Sequence, residues 1–382
     1  MSQSSYPVGA PAEGAVTKDW LSPRAPRLLA AGLAMAFVLV CALQLGTSVQ
    51  ATQADGRLET LAGLSAKVSA LAYGLEAERD DTIWFIARSA GPDGVRSKTM
   101  SAAARSEFQT VRQQYAATDK WAGRVEAGLS AIGTGYPARV VLAARSAAAE
   151  LNFLASVRRA ARSPGTAALD ALERYTAVIN VLLALENEIG PNSNDSQVMA
   201  TVSAMSQVSR IQQEFSIQRG LIVYGLTAGS FAPNMLRSLQ ASIADQYSDI
   251  DQFENFASTR QMQDFQTALG PDWYADRFRA LEQMVSHYAQ GHASLTGLGV
   301  APDEWFGNST ELMSKTRSVE LRLNAEVTQR AESLQRSAVT MTAIFSAVIV
   351  LLMPVILWLL RPFITTRWRV IAPEGPATSL RS

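Results

Sequence analysis

Two arginines stand on helical stripes of apolar residues, where a charged side chain is least expected. Arg79 and Arg219 each follow a large apolar residue by four positions, Leu75 and Phe215 respectively. Apolar residues spaced three or four apart share one face of a helix and pack against a core. A guanidinium is costly to bury unless an anion pairs with it, and its planar fork suits a carboxylate or a small planar oxyanion. Burial of either arginine on such a stripe would therefore require an anionic partner.

Two kinds of partner fit this pattern. Both arginines precede a Gly-rich turn by a similar distance, so two similarly built bundles would bring them to similar heights and let them share a small anion. Alternatively, each could pair with a core carboxylate such as Glu76, Glu186 or Glu188, or extend its head to solvent. Spacing alone favours the internal explanation.

The sequence shows no clear pattern of metal ligands or catalytic residues. His287 and His292 are five residues apart, which does not place them on one helical face, and the single cysteine, Cys41, lies inside an apolar run. No nucleophile–base pair, metal-ligand cluster or phosphate loop is visible in the sequence. The 34 basic and 34 acidic side chains give zero net charge, which argues against nucleic acid. We therefore expect a protein that is not an enzyme and that uses no metal, cofactor or disulfide.

The elements that must position the arginines are helices. From residue 54 onward apolar residues recur at three and four, and clusters rich in Gly and Pro interrupt the pattern. No alternating strand pattern appears, so the fold class is all-α, with antiparallel bundles. The predicted helices cover about 54–90, 99–133, 139–162, 166–190, 195–228, 233–268 and 271–292, with a last one from about 304 onward.

Two apolar segments, 28–46 and 338–360, are long enough to cross a membrane. Basic residues flank their outer edges, so by the positive-inside rule both termini are cytoplasmic and the large central part, 47–337, is extracytoplasmic. Residues 1–27 form a cytoplasmic tail that we expect to be disordered, and 361–382 form a short basic cytoplasmic tail. The prediction is a two-pass protein of the cell membrane, in contact with lipid.

The first apolar segment has a second explanation, a cleavable signal peptide. Val49-Gln50-Ala51 satisfies a small-x-small cleavage rule. The region before the apolar run is, however, long and mixed in charge for a signal. An uncleaved anchor is the favoured prediction.

The stretch Val68–Ala87 resembles the first signature of the nitrate- and nitrite-sensing (NIT) domain family, with the family's Leu-x-x-Glu-Arg pattern at 75–79. Four further landmarks agree in order, and they are Leu154–Arg158, Tyr175–Leu185, Gln213–Phe231 and Trp305–Leu323. The resemblance extends over about 60–325. It is to the extracytoplasmic part of actinobacterial sensor histidine kinases, and the sequence carries no phosphoacceptor helix or ATP-binding domain, so we expect no kinase activity.

The resemblance implies two four-helix bundles with nitrate or nitrite held by arginines near their junction. Arg79 and Arg219 match the motif arginines, and Arg317 and Arg158 match further positions. The sequence departs from the family pattern at two places. Asp80 follows Arg79 where another basic residue would help to hold an anion, and Gln218 stands where the second motif can carry Glu.

Two functions compete on these grounds. The leading hypothesis is a non-catalytic membrane receptor that binds a small anion and passes a helix displacement inward, to a partner signalling protein or within a homodimer. The alternative is a structural or scaffold protein that keeps the sensor fold without a ligand. They differ in whether Arg79 and Arg219 face a polar pocket or pair with internal carboxylates.

Overall fold

The computed structural model describes residues 25–90, 95–188, 193–232, 234–270, 278–292 and 294–367. Within these ranges the chain forms α-helices and no extended strand, apart from isolated bridges near 90–96 and 167. The predicted all-α class is confirmed. The helices are α1 Ala25–Arg88, α2 Ala102–Ser130, α3 Ala138–Arg162, α4 Ala168–Asn187, α5 Ser196–Ala228, α6 Met235–Phe256, α7 Thr259–Leu269, α8 Arg279–Gly291 and α9 Pro302–Arg367.

Most predicted helices match, but the one predicted over 233–268 is two helices, α6 and α7. The break falls at Ser258, whose Oγ accepts from the backbone N–H of Gln261, while the Gln261 side chain accepts from the N–H of Ser258. This reciprocal capping starts a new helix without any Gly or Pro. Several predicted segments lie outside the described residues. They are most of both tails, the first part of the helix predicted over 271–292, and two of the Gly- and Pro-rich clusters that interrupt the helical pattern, at 91–94 and 190–192.

The first group of helices surrounds α1. The carboxylate of Glu78 on α1 accepts hydrogen bonds from Thr118 on α2, Arg158 on α3 and Tyr175 on α4. Helix α3 packs against both α2 and α4. Helices α1 to α4 therefore form one of the two predicted bundles.

The second group surrounds α5, which is fixed at both ends. Asp195 caps its first turn by accepting from the N–H of Val198, and Gly229 ends it with a left-handed φ of 76° that other residues adopt only with strain. Helix α5 packs against α6 and α8. The indole of Trp305 on α9 donates to a carbonyl of α5, so α5, α6, α8 and α9 form the second bundle.

The central helices of the two bundles, α1 and α5, approach closely at Gly220. A side-chain carbon at this position would lie 2.9 Å from a methyl of Ile83 and 3.2 Å from a carboxylate oxygen of Asp80. Glycine therefore allows the approach that places the two motif arginines at the same level.

The chain divides into two compact units, Gln53–Arg336 and the two ends on either side of it. In the second unit, whose described residues are 25–52 and 337–367, large apolar side chains point outward. Leu33 is 74% exposed and Leu351 is 71% exposed. Water does not stabilise such a surface, whereas lipid does.

Three helices are long and apolar enough to cross a membrane by length and composition, among the residues described. Two of them, α1 and α9, contain the predicted segments 28–46 and 338–360. The third, α3, was predicted as a helix but not as a membrane span. Its residues Val140, Ala147 and Leu151 are buried in the core of the larger unit, where α3 packs between α2 and α4.

Candidate functional site

The side chain of Arg79 is completely buried, as its place on the apolar stripe predicted. Its Nη1 donates to Thr176 Oγ1 at 2.8 Å, and its Nη2 donates to Ser216 Oγ at 2.8 Å and to the carbonyl of Gln213 at 3.4 Å. Its Nε lies 3.3 Å from Oδ1 of Asp80. The guanidinium is therefore fixed by α4, α5 and a carboxylate of its own helix.

Arg219 is only 3% exposed, and its guanidinium binds the same carboxylate. Both Nε and Nη2 lie 2.8 Å from Oδ2 of Asp80. The third nitrogen, Nη1, donates to Thr310 Oγ1 of α9 at 3.0 Å, and the guanidinium lies over the ring of Phe306 at 4.6 Å. The Arg219 head thus connects α1, α5 and α9.

Asp80 is the residue on which the two motif arginines converge. Its carboxylate is fully buried and also accepts from Ser216 Oγ at 2.6 Å. The sequence predicted similar heights for Arg79 and Arg219 in two similarly built bundles, and the structure brings both to one anionic group. That group is a carboxylate of the chain itself, planar and singly charged like nitrate. We call Arg79, Asp80 and Arg219 the arginine pair site.

Residue spacing did not single out Asp80 as a partner of either arginine. The carboxylates considered as internal partners were Glu76, Glu186 and Glu188. Asp80 follows Arg79 directly, which turns it away from the stripe by about 100°. The close approach of α5 at Gly220 is what buries it, and this is a tertiary feature.

Arg158 belongs to a different cluster. Its Nε and Nη2 each lie 2.7 Å from an oxygen of Glu78, and its Nη1 lies 2.5 Å from Asp119. Tyr175 donates to the same Glu78 carboxylate at 2.8 Å. This is a bidentate structural pair inside the first bundle, apart from the arginine pair site.

Arg317 is also placed elsewhere. It hydrogen-bonds to Glu320 on its own helix and to Ser69 on α1, and its guanidinium lies 5.4 Å from the ring centroid of Tyr73. Ser69 in turn donates to Glu320 at 2.6 Å. Of the four predicted arginines, the structure therefore brings only Arg79 and Arg219 together. Arg158 and Arg317 pair with other carboxylates, Glu78 and Glu320.

A layer of buried carboxylates lies next to the site. Glu76, Glu186 and Glu320 are each 1% exposed. Ser209 links two of them, with its Oγ 2.7 Å from Glu320 and 3.4 Å from Glu186, while Glu76 accepts from Gln212 at 3.0 Å. Burial raises the pKa of Glu76 to about 8 and raises that of Glu186 well above its usual value, where the nearby Glu320 adds to the effect.

Among the described residues no group of three or more His, Cys, Asp or Glu has a geometry that could hold a metal ion. The arginine pair site instead holds two guanidiniums and the carboxylate of Asp80. Asp81, the next residue of α1, is close enough for Arg219 to lower its pKa, which burial raises to about 7. Guanidinium N–H groups bind planar oxyanions in this geometry.

Comparisons with known proteins agree on fold and family. The solved structure of the NasR transcription antiterminator is similar, with a TM-score of 0.63 and 18% identity over 82% of this chain and 83% of that one, which supports the fold. The family model described as "Nitrate and nitrite sensing" matches residues 70–328, more than half of the chain. The chain therefore belongs to the NIT family, as its motifs predicted. No curated protein sequence matches it.

Family membership supports a sensing role. The family match covers the region of the chain that contains all four predicted arginines.

Proposed function

We propose that this chain is a non-catalytic membrane sensor that binds nitrate or nitrite at the arginine pair site. The observation that carries the proposal is that Arg79 and Arg219, from two different bundles, direct their guanidiniums at one buried planar anion, the carboxylate of Asp80. This convergence of two guanidiniums on one planar anion supports the proposal.

In this proposal Asp80 occupies the site when no ligand is bound. An entering anion takes over hydrogen bonds that Asp80 now accepts from the two arginines, and the displaced carboxylate keeps its bond from Ser216 Oγ or moves with α1. Because Asp80 lies on α1 and Arg219 on α5, the exchange changes how these two helices are held together. Nitrate competes with a tethered carboxylate, so its affinity depends on how easily Asp80 leaves.

The signal has a physical route from the site to α9. Arg219 donates to Thr310, lies over Phe306, and accepts at its carbonyl from the indole of Trp305 at 3.1 Å. All three contacts are on α9, which is one helix from Pro302 to Arg367 and contains the predicted span 338–360. A movement of the Arg219 head would therefore be passed to α9 and, in this proposal, to a partner protein or a second copy inside the cell.

The topology in this proposal is that of a two-pass plasma-membrane protein with 47–337 outside and both termini in the cytoplasm. The two membrane spans are supported by the outward-facing apolar residues of the smaller unit, such as Leu33 and Leu351, and the orientation is supported by the basic residues at their outer edges. Reporter fusions after Leu45 and before Ala338 should be exposed outside the cell. Labelling of either position from the cytoplasm would contradict the topology, and a mature N-terminus near Ala51 would support the cleaved-signal alternative.

The decisive experiment on the site is a calorimetric titration of the full-length protein with nitrate, nitrite and, as controls, chloride and sulfate. We expect nitrate or nitrite to bind to wild type and to bind more tightly to Asp80→Asn, because the internal competitor has lost its charge. Arg219→Leu should not bind.

A second function, a scaffold that keeps the fold without a ligand, is favoured by one observation. Asp80 already satisfies both guanidiniums, so the site needs no ligand for its stability. In that case none of the anions binds to wild type or to Asp80→Asn.

A further inference from the structure

A polar cavity outside the arginine pair site is lined by residues of α4, α5 and α6. It has a volume of about 400 Å³ and opens between α5 and α6, beside α4. Of its nine lining residues only Leu183 is apolar. We call it the acidic cleft, because Glu214, Asp245 and Asp249 all line it.

The charge of the acidic cleft is not balanced by its own residues. Its three carboxylates face a single basic residue, Arg210, which leaves two negative charges when all of them are ionised. Asp249 is only 8% exposed. Burial, with the neighbouring Asp245 adding to it, raises the pKa of Glu214 to about 7 and that of Asp249 to about 6. The empty cleft therefore disfavours its own negative charge, and a cation would relieve it.

A buried amide lining the cleft lacks a hydrogen-bond donor. Gln213 is 4% exposed, and its Nε2 donates to Asn180 Oδ1 at 2.7 Å, while its Oε1 has no partner. A buried acceptor without a donor is unfavourable, and most such groups in folded proteins have a partner. The cleft thus offers an acceptor in addition to negative charge, so an N–H donor that is positively charged would satisfy both.

We propose that the acidic cleft binds a small organic cation that carries a protonated primary amine. The ammonium group would donate to Gln213 Oε1 and to the carboxylates of Glu214 and Asp249, which line the same cavity. A metal ion is the weaker alternative, because the described carboxylates do not form a metal-binding group. The proposal does not depend on nitrate binding at the arginine pair site.

The test uses putrescine as the probe, titrated into the full-length protein at constant ionic strength. We expect saturable binding, and a loss of about tenfold or more in affinity in the double variant Glu214→Gln/Asp249→Asn, since hydrogen bonds to charged groups are lost. The matched control is Asp251→Asn/Glu254→Gln, which removes two exposed carboxylates of α6 outside the cleft and should bind like wild type.

Two further measurements keep the proposal open to refutation if the double variant folds poorly. Asp245→Asn changes an exposed residue of the cleft and should weaken putrescine severalfold while leaving the melting temperature nearly unchanged. Tetramethylammonium has the charge but no N–H donor and should bind much more weakly than putrescine. Equal binding of the two cations, an equal loss in the control variant, or no putrescine binding to wild type would each overturn the proposal.

Discussion

The carboxylate of Asp80 on α1 accepts two contacts of 2.8 Å from the guanidinium of Arg219 on α5, and both groups are buried. This ion pair joins the central helices of the two bundles. Breaking a buried ion pair by removing one partner typically costs about 3–5 kcal/mol, because the other charge is left uncompensated. The pair is therefore both a structural connection and the feature with which a ligand must compete.

The first prediction concerns Asp80→Asn. Without its charge, Arg79 and Arg219 are two buried like charges with no anion between them, and we expect the ligand-free protein to lose about 3–5 kcal/mol of unfolding free energy. Nitrate should restore much of this loss, because an anion that binds the folded state stabilises it by RT ln(1 + [L]/Kd), about 2.7 kcal/mol at a hundredfold excess over Kd. Thermal melts with and without nitrate measure both effects.

The control for this variant is Asp251→Asn, which replaces an exposed carboxylate on α6. It should change neither the free energy of unfolding nor the stabilisation by nitrate. A stable Asp80→Asn protein whose melting does not respond to any anion would remove the anion site from consideration. A destabilised variant that nitrate does not rescue would leave the scaffold function standing.

The second prediction separates Arg158 from the arginine pair site. Arg158→Leu leaves the buried carboxylate of Glu78 without its bidentate partner, so we expect a loss of about 3–5 kcal/mol of unfolding free energy. Its other partner, Asp119, has a side chain that is 61% exposed, and Asp119→Asn should cost at most about 1 kcal/mol. Chemical denaturation measures both values.

The titration of nitrate into Asp119→Asn should match wild type, since this residue and Arg158 contact neither Asp80 nor the two motif arginines through any described hydrogen bond. A selective loss of nitrate binding in Asp119→Asn would instead return Arg158 to the ligand site, as the family resemblance implied.

The third prediction concerns pH. Burial raises the pKa of Glu76 from its usual value of 4.5 to about 8, and raises that of Glu186 as well. Between the unfolded pKa of 4.5 and the folded pKa of about 8, Glu76 is therefore more protonated in the folded protein than in the unfolded chain. The free energy of unfolding is greatest at the acid end of this pH range and falls as pH rises toward 8. The slope for one such group is on the order of 1 kcal/mol per pH unit.

Denaturant titrations between about pH 5 and pH 8 test this slope. Glu76→Gln imitates the protonated carboxyl and can still accept from Gln212, so it should flatten the dependence without a large loss of stability at the acid end. Glu254→Gln, an exposed position, should keep the wild-type slope. A Glu76→Gln protein with an unchanged slope would mean that this carboxyl is ionised in the folded state.

The sequence predicted the parts of this molecule that depend on local periodicity. Arg79 and Arg219 were placed in the core because each shares a face with large apolar residues. Their common level in the two bundles followed from their similar distance to the next turn. The split between α6 and α7 was missed because Ser258 and Gln261 make a capping box, a weaker signal than Gly or Pro.

The partner of each buried arginine could not be predicted from periodicity. Asp80 and Glu78 lie on helical faces that spacing does not single out, and each pairs with an arginine of another helix only because that helix packs over it. Arg317 instead pairs with Glu320, three residues along its own helix. Choosing among several nearby carboxylates requires the rotation and distance of that second helix. The pairing of Arg158 with Glu78 is thus a tertiary feature, and so is the acidic cleft between α5 and α6.

The last prediction couples the two proposed sites through Gln213. Its carbonyl accepts from Arg79 at 3.4 Å, and its side chain lines the acidic cleft. The charge of Glu214 in the cleft also acts on Arg79, since this guanidinium lowers the pKa that burial has raised. A cation bound in the cleft offsets Glu214 and leaves the potential at the arginine pair site more positive. We therefore expect putrescine to increase the affinity for nitrate severalfold.

Thermodynamic linkage requires nitrate to increase the affinity for putrescine by the same factor. The measurement is a pair of calorimetric titrations of the full-length protein, each ligand with and without a saturating amount of the other. Glu214→Gln/Asp249→Asn should bind nitrate with no effect of putrescine, whereas the exposed pair Asp251→Asn/Glu254→Gln should keep the coupling. Saturable binding of both ligands with no mutual effect would show that the two sites are independent, despite sharing Gln213.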